Sequence, residues 1–283
     1  MIKKILKNRP TLEGAGVHLK RVFGYHEVPL FDPFLLLDHF GSDNPDDYLA
    51  GFPWHPHRGI ETITYMIEGK VLHEDSLGNS GTIGTGDVQW MTAGCGIIHQ
   101  EMPHEHKGLM QGFQLWANLP AKDKMMHPRY RDVSCDEIPE VTLKDKVKVK
   151  IICGEINGTK GPVQDIVTEP EYFDVALESN AHFKHPVKQG HNVFAYIFDG
   201  EGFFDSKQKE AIGKDNLVLY KDGDFVEIYT RVAPVRFLLI SGKPIGEPVA
   251  WNGPIVMNTN EELRIAFQEY RNGTFIKQKK KND

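Results

Sequence analysis

Short strand-like runs dominate this 283-residue sequence and limit the folds open to it. Runs rich in Val, Ile, Phe, Tyr and Thr recur about every ten residues, separated by Gly, Pro and Asp. β-Branched and aromatic residues favour extended strands, whereas the separating residues favour tight turns. Short strands at such regular spacing are typical of a β-sandwich or a β-barrel. The sequence therefore predicts an all-β fold.

The predicted strands form two sets, one in each half of the chain. They are residues 61–81, 85–94 and 112–120 in the first half, and residues 193–205, 217–230 and 235–242 in the second half. In both sets a Gly-Asp pair precedes a new strand, at Gly86-Asp87 and at Gly223-Asp224. This echo suggests a duplicated barrel.

The length of the chain also favours two domains, because single hydrophobic cores rarely extend over so many residues. The stretch 131–150 is polar and contains proline, which marks it as the candidate junction. We predict one barrel over residues 1–133 and a second barrel over residues 134–283.

One helix is predicted, close to the end of the chain. Thr259 and Glu262 have the spacing of a capping box, and Asn272-Gly273 provides a stop signal. The apolar residues between these signals fall on one helical face; they are Leu263, Ala266, Phe267 and Tyr270. We expect this helix to pack on the flank of a barrel.

Charge and composition exclude several classes of protein. Apolar residues make up 40% of the chain and charged residues 25%, which is typical of a folded globular protein. The net charge of −6 provides no positive field for nucleic acid, so direct binding of DNA or RNA is not expected. The basic run from Lys277 to Lys281 lies at the end of the sequence, where a solvated tail explains it.

Cysteine usage and the absence of targeting patterns indicate a cytoplasmic protein. Cys95, Cys135 and Cys153 are widely and irregularly spaced, without a CxxC pair or a disulfide framework. The N-terminal residues contain no apolar stretch long enough for a signal peptide, and no membrane-spanning run follows. We therefore expect a reducing compartment and no membrane association.

Histidines concentrate in the first half of the chain, where ten of the thirteen precede residue 130. The segment WHPHRGIETITY contains His55 and His57, which are two residues apart. On an extended strand, side chains two residues apart leave the same face. His55 and His57 are therefore a candidate pair of metal ligands.

A second pair with the same spacing follows in AGCGIIHQEMP, where His99 and Glu101 are two residues apart. Two such pairs on neighbouring strands, about 4.8 Å apart, can converge on one ion inside a barrel. Three imidazoles and one carboxylate suit iron, and also manganese, cobalt, nickel, copper or zinc. An octahedral ion with four protein ligands keeps two positions open for a substrate and dioxygen.

Other residues offer alternative interpretations of this pattern. An isolated HxH pair can also consist of imidazoles that only satisfy hydrogen bonds. His104 and His106 form a rival pair, although their polar surroundings indicate a loop. Glu61 is a rival carboxylate, four residues after His57 and of matching strand parity, and it could serve as a ligand or support one.

The glycines before His99 do not match a phosphate-binding loop, and no GxSxG nucleophile motif is present. Gly94 and Gly96 are followed by a strand-like run instead of a helix. We expect these glycines to permit a tight bend that directs His99 inward. Cys95, between them, is best explained as a small packing residue.

Four segments together resemble the pirin family, within the bicupin part of the cupin superfamily. They are FDPFLLLDHF (31–40), HPHRGIETITYMIEG (55–69), GDVQWMTAGCGIIHQEMP (86–103) and QLWANLP (114–120). The resemblance covers most of the first 130 residues, and the second half resembles the pirin C-terminal barrel more loosely.

The resemblance implies two cupin-type barrels packed face to face, with a single metal ion, most simply Fe(II), in the first. The implied ligands are His55 and His57 from HPH, together with His99 and Glu101 from HQE. The second barrel lacks an HxH pair and is expected to be metal-free. His185 and His191, on a predicted loop, are expected to be ordinary surface residues.

Pirin-like proteins are associated with two activities, and the sequence does not decide between them. One is quercetin 2,3-dioxygenase (quercetinase) chemistry, in which a flavonol is opened by dioxygen, with Glu101 as a possible general base. The other is a non-catalytic role, in which an iron-binding surface regulates a transcription factor or a metabolic enzyme. A metal-free cupin that binds sugars or other small molecules is a third alternative.

The expected partners are accordingly a flavonol-like substrate and O2, with a protein partner possible. Phe52, Trp54 and Gln114 are candidates for the pocket wall, although aromatic residues in barrels often belong to the core. A monomer is expected, because the faces of duplicated barrels already bury one another.

Overall fold

The computed structural model describes residues 1–144 and 146–277, and strands account for most of the regular structure in these residues. Apart from Lys277, the basic run predicted to be a solvated tail lies outside the described residues. In the first half the strands are β1 (Ile2–Lys7), β2 (Arg9–Glu13), β3 (Val17–Phe23), β4 (Phe34–Ser42), β5 (Phe52–His57), β6 (Ile60–Glu68), β7 (Val71–Asp75), β8 (Ser80–Ile83), β9 (Val88–Thr92), β10 (Ile97–Pro103), β11 (Met110–Asn118) and β12 (Arg129–Val133).

The second half continues with shorter strands and ends in a helix. Its elements are β13 (Glu140–Leu143), β14 (Val147–Cys153), β15 (Glu155–Ile156), β16 (Thr159–Lys160), β17 (Glu171–Leu177), β18 (His182–Pro186), β19 (Asn192–Gly202), β20 (Ile212–Gly213), β21 (Asn216–Tyr220), β22 (Phe225–Tyr229), β23 (Val235–Gly242), β24 (Ala250–Asn252), β25 (Ile255–Met257) and α1 (Asn260–Arg271). Short 3-10 turns cover Tyr25–Glu27, Pro45–Asp47 and Cys135–Glu137.

The described residues group into two compact units, and each unit combines several stretches of chain. The first unit comprises described residues of 10–30, 34–135 and 245–277, and the second comprises those of 1–9, 31–33 and 136–244. The change of unit at residue 135 lies close to the predicted junction. The exact boundary between residues 133 and 134 remains a prediction. The stretch 131–150 is not a bare linker, since it contains β13 and part of β14.

The first unit contains two large antiparallel sheets and the small two-stranded sheet β24-β25. The larger sheet has the strand order β12-β9-β6-β11-β4-β3-β2, and the smaller has the order β5-β10-β7-β8. Leu36, Ile63 and Trp90 are buried, and polar side chains such as Thr64 and Gln89 are buried as well. Buried polar groups need hydrogen-bond partners, so these side chains must find such partners inside the unit.

The second unit has a larger sheet in the order β1-β21-β19-β23-β17-β14-β13, and β18 pairs separately with β22. Strand β14 illustrates why this sheet forms: Val147 and Val149 are buried, whereas Lys148 between them is exposed. Such alternation directs one face of a strand to the core. The core cluster of this unit is almost entirely aliphatic and aromatic.

Helix α1 begins and ends where the sequence predicts. The Thr259 side chain accepts a hydrogen bond from the Glu262 backbone N–H, and Glu262 reaches back to the Thr259 backbone N–H. Leu263 and Ala266 are buried, and the helix packs against β24 and β25 of the first unit. The predicted capping box and helix are confirmed. The described helices all fall short of the length and hydropathy that crossing a bilayer requires.

Candidate metal centre

Strands β5 and β10, neighbours in the smaller sheet of the first unit, carry the histidines of both predicted pairs. Their antiparallel register places His99 opposite His55 and Ile97 opposite His57. Residues opposite each other in an antiparallel pair point to the same face. Because side chains alternate along β5, His57 points to that face as well.

A turn with two glycines leads into β10. Gly94 and Gly96 have φ angles of +49° and +138°, which residues with a Cβ atom rarely adopt. A Cβ atom on Gly94 would also collide with the Met126 carbonyl oxygen. The prediction that these glycines permit a tight bend before His99 is confirmed.

The three imidazoles meet through their Nε2 atoms. His55 Nε2 lies 3.0 Å from His57 Nε2 and 2.9 Å from His99 Nε2. These three residues form the group of potential ligand atoms that lie within 4.8 Å of one another among the described residues. His57 and His99 are buried, whereas His55 is half-buried.

The opposite ring nitrogens are held by partners behind the centre. His55 Nδ1 lies 2.9 Å from the Pro53 carbonyl oxygen, and His57 Nδ1 lies 3.0 Å from the Pro254 carbonyl oxygen. A carbonyl oxygen only accepts, so both Nδ1 atoms carry the proton and donate. Both Nε2 atoms then present lone pairs to the centre.

Burial keeps these rings neutral. It lowers the pKa of His55 and lowers the pKa of His57 and His99 well below the ordinary value of 6.5. The neighbouring imidazoles lower the pKa of His57 and His99 further, because a proton on one ring repels a proton on the next. At neutral pH all three rings are therefore unprotonated at the centre.

The donor set fits a divalent transition metal. Two neutral Nε2 atoms 3.0 Å apart, each with its proton on Nδ1, have no hydrogen atom to share. A cation between them satisfies both lone pairs, and imidazole nitrogen is a preferred ligand of first-row transition metals. The three histidines are therefore residues that can hold such an ion.

Glu101 follows His99 on β10 and lines the same cavity as His55 and His57, although it is not within the tight imidazole group. Its Oε1 atom lies 3.0 Å from the Thr64 hydroxyl oxygen. Burial raises the pKa of Glu101 to about 7, while the Thr64 hydrogen bond opposes that rise. Without an ion at the centre, a substantial part of the Glu101 carboxyl groups is therefore protonated near neutral pH.

A cavity of about 790 Å³ opens onto the imidazoles. Aromatic rings supply much of its wall, at Tyr25, Phe40, Tyr48, Phe52, Trp116 and Trp251. The Trp116 ring packs edge-on against His57, with 5.1 Å between ring centroids. A largely apolar cavity with a few polar groups is the usual form of a small-molecule site.

Both halves of the chain match known protein families. Residues 16–117 match the pirin family, and residues 172–276 match the pirin C-terminal cupin domain. A pirin-like protein of Caulobacter vibrioides is 45% identical over 275 residues, which cover 97% of this chain and 98% of that protein. The chain belongs to the pirin family.

Two further relatives match nearly the whole chain. A protein of Pseudomonas aeruginosa, provisionally named a quercetin 2,3-dioxygenase, is 43% identical over 268 residues, covering 93% of this chain and 94% of that protein. A crystal structure of quercetin 2,3-dioxygenase from Acinetobacter baumannii is 31% identical, with a TM-score of 0.89 and 97% coverage of both chains. The predicted all-β fold with two cupin domains is confirmed.

The rival ligands are placed elsewhere in this pirin. Glu61 is buried on β6, where its Oε1 atom accepts a hydrogen bond of 2.6 Å from Thr92. His106 lies 3.2 Å from Glu68, and His104 is exposed. None of these residues belongs to the imidazole group found among the described residues.

His73, which sequence reasoning did not select, touches the centre. Its Nε2 atom lies 3.0 Å from His99 Nδ1, and its ring stacks on Tyr130. When His99 Nε2 presents a lone pair to the centre, its Nδ1 carries the proton and donates to His73. His73 lies on the buried face of β7 together with Val71 and Asp75, but the sequence VLHED has no alternation of apolar and polar residues that could have identified it.

Arg58, next to His57, contacts residues that are distant from it in the sequence. Its guanidinium donates to the carbonyl oxygens of Cys95 and Phe275, at 2.8 and 2.9 Å, and forms an ion pair of 2.8 Å with Glu269. It also lies 4.2 Å from the centre of the Phe275 ring. Residues 254–275 therefore hold Arg58, which directly follows β5, and also supply the Pro254 carbonyl to His57.

Three other expectations about side chains have mixed outcomes. Phe52 and Gln114 line the cavity of this pirin, as expected for wall residues. Trp54 is 49% exposed and is absent from the lining, because its neighbours on β5 point inward instead. His185 and His191 were wrongly expected on the surface: both are buried, and His185 lies on β18, 3.2 Å from Glu171.

Proposed function

We propose that this pirin is a metal-dependent dioxygenase of the quercetin 2,3-dioxygenase type, which opens flavonol-like substrates with O2. The observation that carries the proposal is the convergence of three neutral imidazoles on one point at a largely apolar cavity. The Pseudomonas and Acinetobacter relatives support the same class of reaction. The proposed ligands are His55, His57, His99 and Glu101, and the proposed ion is Fe(II).

Such an ion, when bound, supplies a Lewis acid that lowers the pKa of a substrate hydroxyl group. The imidazoles contribute no charge, so the centre keeps a positive charge that favours an anionic substrate. Their Nδ1 partners, the Pro53 and Pro254 carbonyls, fix the ring orientations before the substrate arrives. The imidazole rings are therefore ordered when the protein folds, before the substrate binds.

Glu101 is proposed to accept the proton of the substrate hydroxyl group. Burial raises the pKa of Glu101 to about 7 when no ion is bound, and in this proposal Glu101 leaves the ion in order to take the proton. Thr64 donates its hydroxyl proton to either Glu101 or Gln114, whose Oε1 atoms lie 3.0 and 2.8 Å away. This hydroxyl therefore orients the carboxylate within the cavity.

The apolar wall has a second role in the proposal. An electron-rich substrate anion reacts with O2, and water that enters the cavity would return a proton to that anion. Aromatic residues such as Trp116 and Trp251 exclude water and provide flat surfaces for a planar substrate. The cavity volume of about 790 Å³ accommodates a drug-sized molecule.

The test is turnover by iron-loaded protein under a known concentration of oxygen. The wild-type protein is expected to consume quercetin and O2 in equal amounts. His57→Ala is expected to lose both metal and turnover, and Glu101→Gln is expected to lose turnover by about 100-fold or more. His104→Ala removes an exposed histidine and serves as the control.

A fully metal-loaded wild-type protein that does not consume quercetin or related flavonols would contradict the proposal. That outcome would favour the non-catalytic regulator considered from the sequence. Native protein with far less than one metal ion per chain, even after iron is supplied, would instead favour a metal-free binding protein.

A further inference from the structure

The cavity at the imidazoles contains a second polar group. Arg21, Asp38 and Glu13 line the same cavity as His55 and His57. They belong to strands β2, β3 and β4 of the larger sheet, whereas the imidazoles belong to the smaller sheet. The proposed reaction does not use these charged residues.

Asp38 is fixed by two hydrogen bonds. Arg21 Nε donates to Asp38 Oδ1 at 2.9 Å, and Arg21 Nη2 donates to Asp38 Oδ2 at 2.8 Å. The third guanidinium nitrogen, Nη1, lies 2.8 Å from Glu13 Oε1. Only 5% of the Asp38 surface is exposed, so this carboxylate keeps its position.

Together, Glu13, Arg21 and Asp38 offer more positions that accept a hydrogen bond than N–H groups that donate one. One guanidinium faces two carboxylates, and each carboxylate oxygen can accept more than one hydrogen bond. Burial raises the pKa of Asp38 to about 6 against the opposing effect of Arg21, so the carboxyl group is ionised at pH 7.5. Asp38 therefore attracts hydrogen-bond donors and repels carboxylates.

The sheet register shows where Asp38 lies relative to the proposed reaction centre. Asp38 on β4 lies opposite Gln114 on β11, and Gln114 lies opposite Thr64 on β6. Neighbouring strands are about 4.8 Å apart, so the backbones of Asp38 and Thr64 are separated by about 10 Å. Thr64 in turn contacts Glu101, so Asp38 lies two strands from the residue that meets Glu101, on the same face of the sheet, and both carboxyl groups line the one cavity.

We propose that Asp38, positioned by Arg21, determines substrate specificity by accepting a hydrogen bond from a phenolic hydroxyl group at the far end of the substrate. The ligand class is a planar molecule of two linked aromatic units, with chelating oxygens at one end and a hydroxyl donor at the other. This inference rests on the proposed function for the orientation of the ligand. It adds the residue that selects among flavonol-like molecules.

The test compares 3-hydroxyflavone with two relatives that each add one hydroxyl group, on the A ring or on the B ring. Binding to metal-loaded protein is measured without oxygen through the fluorescence of the cavity tryptophans, and kcat/KM is measured with oxygen. Wild-type protein is expected to prefer one of the two relatives over 3-hydroxyflavone by about 10- to 100-fold in both measurements.

Asp38→Asn is expected to reduce that preference to less than about threefold, because a neutral amide is a weaker acceptor. The double variant Arg21→Met with Asp38→Leu removes the whole pair without leaving a buried charge, and it is expected to have the same effect. Asp174→Asn is the matched control. Asp174 forms a similar two-bond pair with Arg236 in the second unit, at 2.9 and 2.6 Å, and does not line the cavity.

The outcomes separate this inference from the proposed function. Equal binding of all three molecules, or a preference that survives both Asp38 variants, would overturn the role of Asp38 and leave the dioxygenase proposal standing. A preference that depends on Asp38 but occurs without turnover would support Asp38 and overturn the dioxygenase. Failure of the wild-type protein to bind any of the three would overturn both.

Discussion

At the scale of single residues, the centre depends on the atoms behind the imidazoles as much as on the imidazoles themselves. Two of the Nδ1 atoms face backbone carbonyls, whereas His99 Nδ1 faces the side chain of His73. A carbonyl can only accept, but His73 can accept or donate through its Nε2 atom. His99 is therefore the proposed ligand whose tautomer depends on another side chain.

Replacing His73 by Phe tests this dependence. The ring that stacks on Tyr130 is kept, but the acceptor for His99 Nδ1 is lost. We expect metal affinity to fall by about 10- to 100-fold, measured by competition with a chelator. Tyr130→Phe, which keeps that ring contact, is the control, and an unchanged affinity in His73→Phe would show that His73 does not orient His99.

Lys124 provides a second prediction at this scale. Its buried ammonium group donates to the Gly59 and Val256 carbonyls and to Asn118, and burial lowers its pKa from 10.5 to about 8. Because the pKa of Lys124 is lower in the folded state than in the unfolded state, protonation of this lysine favours unfolding. The free energy of unfolding is therefore highest above the unfolded pKa, where Lys124 is neutral in both states. This contribution is lost as the pH falls from 10.5 through 8.

We therefore expect the free energy of unfolding of the wild type, relative to Lys124→Met, to fall by about 3 kcal/mol between pH 10.5 and pH 7.5. Chemical denaturation of both proteins across this range measures the difference. Parallel curves for the two proteins would mean that Lys124 titrates in the folded state as it does in water.

At the scale of elements, the C-terminal strands and helix complete the first unit. Strands β24 and β25 flank Pro254, whose carbonyl accepts from His57, and the segment after α1 contributes Phe275 to Arg58. These contacts join residues about two hundred positions apart in the sequence. The geometry of β5 is therefore supported by chain that follows the second unit in sequence.

Arg58→Met tests that support. It removes three polar contacts and the stacking on Phe275, so we expect a loss of about 3 kcal/mol in the free energy of unfolding and faster release of metal. Arg264→Met on the exposed side of α1 is the control, and no measurable change is expected there. Loss of stability with unchanged metal release would show that the C-terminal segment stabilises the unit without positioning His57.

Local patterns explain which of these features the sequence could predict. The spacing of His55 and His57 sets their common face, and the capping box of Thr259 and Glu262 sets the start of α1. Both depend on residues close together in the chain. The contacts of Arg58 and His73 could not be predicted in this way, because their partners come from other strands or from the C-terminus, and only the fold brings them together.

At the scale of the whole molecule, the two units differ in their histidines. Among the described residues, the three-imidazole group occurs in the first unit. In the second unit His185 instead pairs with Glu171, which also accepts a hydrogen bond from Ser241. One metal ion per chain, with the second barrel metal-free, remains a prediction of this arrangement.

Titration of metal-free protein with Co(II) in the absence of oxygen, followed by visible absorption, tests the central proposal most directly. We predict saturation at one ion per chain for the wild type and for His185→Ala. We predict no tight binding for His99→Ala, with circular dichroism to show that this variant remains folded. A wild-type protein that binds no ion, or a folded His99→Ala variant that still binds one tightly, would contradict the assignment of these imidazoles as metal ligands.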